Sequence, residues 1–109
     1  MTSMERQLAR YQRTFGCIPK HAKVAFKALK KLGQELSERN IKYLEDPTWP
    51  FHLIIFIGNS RWSFYCSGFR DIIEIQKLTP SGIANKRFKE KSFSTAVGAA
   101  NYAKRLLKK

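Results

Sequence analysis

The sequence predicts an α+β fold: one small domain with an N-terminal helix or helix pair, a three- to four-stranded antiparallel sheet and a C-terminal helix. Three observations carry this expectation. Apolar residues recur at helical spacing in two stretches, one toward each end of the chain. The segment between them holds an unbroken apolar run followed by strict alternation, the period of strands. Isolated glycines and prolines separate these stretches at short intervals, and no long linker intervenes.

Residues 4–13 are compatible with a short basic helix anchored by Leu8 and Tyr11, which makes 1–15 a flexible or loosely docked leader to the domain. Gly16 and Pro19 punctuate the chain, and proline suits a first helical turn because its missing N–H would be unpaired there. A helix is predicted from about residue 19 to residue 38. Ala22, Val24, Ala25, Phe26, Leu29, Leu32, Gly33 and Leu36 mark its packed side, while Lys20, Lys23, Lys27, Lys30 and Lys31 fill the opposite surface. Asn40 closes it.

Pro47 and Pro50 interrupt the pattern, and Trp49 between them fits either a lid over the core or an exposed platform. The run Phe51–Ile57 is apolar on both faces, as in a central strand, and Gly58-Asn59-Ser60 is hairpin-turn chemistry. In the return strand, Arg61–Ser67, Trp62, Phe64 and Cys66 share one face and Arg61, Ser63 and Tyr65 the other, so one face is core and one wet. A third strand runs from Phe69 to Leu78. Residues 83–93 form a basic loop or a fourth strand. Ser94 or Thr95 caps a final helix whose apolar stripe is Ala96, Val97, Ala99, Ala100, Ala103, Leu106 and Leu107 and whose last turn is basic.

The chain carries 21 Lys and Arg against 8 Asp and Glu, a formal net charge of +13. From Lys77 onward only Glu90 is acidic. Such an excess repels itself unless an acidic partner or counterions offset it, so polyanions are the expected partners. With 43% hydrophobic residues the chain has the composition of a folded domain, not of a basic tail. Cys17 and Cys66 are isolated and read as reduced core thiols; neither lies in a zinc-binding spacing. No apolar stretch is long enough to span a bilayer, and no N-terminal segment reads as a secretory leader. Cytoplasmic residence without membrane association is the expectation, as monomer or homodimer.

His21 and His52 have no evident acidic orienter in the sequence, and neither phosphate-loop nor dinucleotide glycine patterns occur. No catalytic residue, metal or cofactor is therefore predicted. The residues expected to bind nucleic acid fall into four groups. Lys23, Lys27, Lys30 and Lys31 form the lysine bank of the long helix, for which a merely solubilising face is the competing reading. Lys86, Arg87, Lys89 and Lys91 interleave with Phe88 and Phe93, so that cations meet phosphates while a ring stacks on an unpaired base, unless the rings are core anchors. Arg61, Tyr65 and Arg70 lie on or beside one sheet face, suited to single strands or to cross-strand packing. Lys104 and Arg105 belong to the final helix.

The segment Lys91–Thr95, followed by Ala99, Tyr102 and Ala103, resembles the sheet-to-helix junction of integrase arm-type DNA-binding domains, which place a three-stranded sheet in the major groove. The hairpin Ile57–Tyr65 after a basic helix is similar to that of RelE-type toxins, small basic ribonucleases, and that resemblance implies that Arg61 steadies a phosphate. This chain departs from that pattern in its start, where no opening strand is evident. The leading expectation is nucleic-acid binding without catalysis. The alternatives are a phage- or plasmid-type inhibitor that grips an acidic protein surface, and a ribonuclease toxin.

Overall fold

The computed structural model describes residues 3–46, 51–66, 72–78 and 84–108, with side chains except at residues 3 and 84–90. Two helices, α1 (Ser3–Phe15) and α2 (Lys20–Glu38), precede a five-stranded antiparallel meander, which α3 (Ala96–Leu107) follows. The strands are β1 (Tyr43–Glu45), β2 (His52–Ile57), β3 (Ser60–Cys66), β4 (Ile73–Leu78) and β5 (Ala84–Phe93), in that spatial order. The predicted α+β architecture holds, with a sheet one strand wider than expected. The additional strand is β1, three residues between Asn40 and Pro47.

Local chemistry accounts for the boundaries. Pro19 stands at the N-cap of α2. Asn40 ends that helix at φ 57°, the left-handed conformation that asparagine tolerates better than most residues. The Thr95 side chain caps α3 by accepting from the Gly98 amide at 3.0 Å, one of the bonds the first turn of a helix otherwise lacks. Gly58 takes φ 59° at the first position of the two-residue β2–β3 turn, where positive φ matches the twist of the flanking strands.

The core lies between α2, α3 and one sheet face. Leu29, Leu32 and Leu36 of α2 meet Leu53, Ile55, Phe64 and Ile75, all of them fully buried. On α3 the buried residues are Ala96, Ala99, Ala100 and Ala103, small enough to seat the helix close against α2 and the sheet, whereas Val97 and Leu107 of the expected stripe are exposed. Phe64 is the largest of the fully buried side chains; truncating it to alanine should cost about 3–5 kcal/mol.

β5 departs from a regular ladder. Phe93, Ser92 and Lys91 pair in sequence with Ile73, Glu74 and Ile75, but Gln76 pairs with Lys89 and Leu78 with Ala84, so extra residues are accommodated in two irregularities. Both cysteines are free; Cys17 is exposed in the α1–α2 connection and Cys66 half-buried, which corrects the reading of Cys17 as a core thiol. Among the described residues no helix is long and apolar enough to cross a membrane.

Candidate nucleic-acid interface

The α2 lysines are placed by helical geometry. At 3.6 residues per turn, Lys20, Lys23, Lys27, Lys30 and Lys31 fall within an arc of about 100°. All five are exposed, and no carboxylate interrupts α2 between Lys20 and Gln34. Lys27 and Lys31 overhang a groove of about 450 Å³ between α2 and the start of α3, floored by Ile73 and closed by Ser94, Thr95 and Val97. Lys104 and Arg105 occupy the last turn of α3 and are exposed.

Lys91 joins this group from β5. Paired with Ile75, it stands on the helix-covered side of the sheet, and its Nζ lies 5.1 Å from the Tyr102 ring centre and 5.9 Å from that of Phe93. The Arg105 guanidinium is 5.9 Å from the same Tyr102 ring. Tyr102 thus takes one cation from the sheet and one from α3. Phe93 is buried against it, with ring centres 5.3 Å apart, and serves as a core anchor. Arg39 is committed elsewhere: it binds Glu35 at 2.7 Å and donates through Nε to the Asn101 side-chain oxygen of α3 at 3.0 Å.

Arg61 and Tyr65 occupy the opposite, helix-free sheet face, together with His52, Ile54 and Phe56 of β2 and Glu74 and Gln76 of β4. The sequence-predicted set is therefore divided between two surfaces. Arg70 lies outside the described residues, as does Trp49, and of Lys86, Arg87 and Lys89 only the backbone in β5 is described.

The helix-free face is not uniformly wet. Ser63 is fully buried at its centre, and Glu74 and Gln76 are buried beside it. The His52 Nδ1 and Ser63 Oγ are 3.0 Å apart, and the His52 and Tyr65 rings stack at 5.5 Å. Burial holds the His52 imidazole below its ordinary value, with Asp46 nearby pulling the other way. Burial, then a hydrogen bond to Glu74 and its charge, push the Tyr65 phenol well above its ordinary value. The sequence reading had found no acidic orienter for His52; the fold brings Asp46 close to it. The hydroxyl bound to that histidine is sealed from solvent, however, so the pair presents no accessible nucleophile.

Tyr65 spends one ring face on His52 and its hydroxyl on Glu74, which leaves it poorly disposed to stack on a base. The exposed ring on this face is that of Phe56, 47% accessible and directly opposite Arg61. Sequence reasoning missed it, because an aromatic residue within the run Phe51–Ile57 looks like any other core residue.

No protein-family model, curated protein or solved structure matches this chain.

Proposed function

We propose that the chain binds nucleic acid without catalysis, and that the exposed side of the helical layer is the surface that meets the phosphates. The observation that carries this reading is the α2 stripe, five lysines with no carboxylate among them over about three turns. A solubilising surface intersperses charges of both signs; a single-sign stripe concentrates potential and attracts a polyanion. Lys104 and Arg105, with Lys91 beside them, extend the positive charge onto the neighbouring helix. Lysines contact phosphates as point charges and read no base edges, so the expected binding is sequence-tolerant and strongly salt-dependent. Tyr65, the ring the sequence offered for base stacking, lies on the other sheet face with its ring on His52 and its hydroxyl on Glu74, so the reading rests on phosphate contact by the helical layer.

Fluorescence anisotropy with labelled duplex and single-stranded oligonucleotides tests the proposal. Affinity should fall linearly on a log–log plot against salt, the slope reporting the number of phosphates neutralised. Absence of binding to either oligonucleotide at about 50 mM salt, where such contacts are weakly screened, would remove the reading.

A further inference from the structure

On the helix-free face the side chains of neighbouring strands line up in rows. The register sets Phe56 opposite Arg61. Continued one residue back from Tyr43, which pairs with Ile55, it sets Lys42 on the other side of Phe56. Strands lie about 4.8 Å apart, so one aromatic ring stands between two cations whose backbones are about 10 Å apart. The next row holds Leu44, Ile54, Ser63 and Gln76, and the row beyond it Asp46, His52, Tyr65 and Glu74.

Exposure and charge change across these rows. Ile54, Ser63, Gln76, Asp46 and Glu74 are buried, whereas Phe56 and Leu44 are 47% and 53% accessible. Lys42 and Arg61 are exposed as well. Asp46 and Glu74 stand four residues along the strands from the two cations, about 13 Å away. Among the described residues neither Lys42 nor Arg61 takes part in an ion pair. The Phe56 ring is thus left open to solvent with uncompensated positive charge on both sides.

We propose that this row is a second nucleic-acid contact, selective for single strands, in which an unpaired base stacks on Phe56 and the phosphates flanking it meet Arg61 and Lys42. It rests on the nucleic-acid reading and adds the form of nucleic acid that this face takes. A ring between two cations is complementary to a nucleotide within a strand, which presents one planar base with a phosphate on each side of its sugar. In a duplex each base is paired and covered by its neighbours, so its face is not free to stack on the ring, and the site selects unpaired segments. A protein partner fits less well, because two exposed apolar side chains offer far less than the roughly 800 Å² that each side of a stable protein interface contributes. The row and the α2 stripe lie on opposite sides of the sheet, so a strand on one leaves the other open.

Anisotropy on the full chain tests the site with three labelled probes: an oligothymidylate of about ten residues, an abasic oligomer of the same length, and a duplex. Phe56→Leu, which keeps apolar bulk but no ring, should weaken oligothymidylate binding roughly tenfold and leave the abasic oligomer and the duplex unaffected. Phe56→Trp should restore binding, and the fluorescence it adds should be quenched by the single strand. Lys42→Ala and Arg61→Ala should each lower the salt slope for the single strand by about 0.7 and leave that for the duplex unchanged. Equal oligothymidylate affinity of the parent and Phe56→Leu, or a loss just as large on the duplex or the abasic oligomer, would overturn the proposal. Release by Phe56→Leu of a labelled peptide of alternating aspartate and leucine, with oligothymidylate still bound, would overturn it in favour of a protein contact. A duplex that binds while Phe56→Leu leaves the single strand unaffected removes the Phe56 site alone, whereas no binding of any probe removes the helical-layer reading with it.

Discussion

The Tyr43 hydroxyl lies 2.6 Å from where a β-carbon on Gly33 would sit, with the ring carbon bearing it at 3.0 Å. The edge strand β1 is thereby keyed into α2: its aromatic residue fills the notch that a missing side chain leaves on the helix. A glycine inside a helix ordinarily costs about 1 kcal/mol relative to alanine, and here that cost is offset by close packing.

Gly33→Ala should consequently lose more than it gains. The improved helix propensity contributes about 1 kcal/mol, while overpacking against Tyr43 costs about 1–3 kcal/mol. A net destabilisation of about 1 kcal/mol is expected in urea unfolding, and relieved when Tyr43→Leu is added. A Gly33→Ala variant more stable than the parent would show that Tyr43 moves aside freely.

The half-buried His52 makes stability depend on pH. Its imidazole titrates below the ordinary value of 6.5 in the folded chain and near that value when unfolded. Below pH 6.5 the unfolded chain therefore binds more protons than the folded one, and stability falls with acidification; above that pH its contribution is fully present. Urea midpoints measured from pH 7.5 down to pH 5 should decline, and His52→Gln, which retains hydrogen-bonding groups but does not titrate, should flatten the decline. An unchanged slope in that variant would assign the pH dependence to other groups.

Tyr65 and Glu74 form a hydrogen-bonded pair on the same face, the phenol half-buried and the carboxylate buried. Tyr65→Phe keeps the ring stacked on His52 but takes a donor from the Glu74 carboxylate, and should cost about 1–3 kcal/mol. Absorbance titration should show the native chain and Tyr65→Phe parting only above the ordinary phenol range, because the Tyr65 hydroxyl resists ionisation. Because the phenol is raised on folding, its contribution to stability is complete below pH 10, the unfolded value, and lost as pH climbs beyond it. Ionisation of the Tyr65 phenol in the ordinary range near pH 10 would contradict its half-buried, hydrogen-bonded setting.

The two basic surfaces can be separated by mutation. Lys27→Ala and Lys31→Ala should each reduce the slope of log affinity against log salt by about 1, uniformly across sequences. Arg61→Ala lies on the opposite side of the sheet and should leave the slope for a duplex unchanged. Should Arg61→Ala reduce it as much as either lysine change, the sheet face and not the helical layer would be the one that meets phosphate.

Much of the fold was legible because its signals are local. The α2 period, Pro19 at its start, Asn40 at its end, the Gly58 turn and the Thr95 cap all act within a few residues, and each stands where the sequence reading put it. β1 was not legible: three residues carry no usable period, and they are extended because they pair with Leu53, Ile54 and Ile55, held nearby by the rest of the domain. The exposure of Phe56 was hidden for the same reason, since an apolar run does not say which of its members the helices cover.

The sequence by itself determined the surplus of cations, the helical stripe that gathers five lysines, and the division of β3 into two faces, because periodicity and charge belong to the chain before it folds. Only the tertiary structure decided which face of the sheet lies under α2 and α3. That choice parted Arg61 and Tyr65 from the lysines and buried Ser63 on the face expected to be wet. It follows from non-local packing: the alanines of α3 and the leucines of α2 close on Leu53, Ile55 and Phe64, and the other face takes whatever side chains remain.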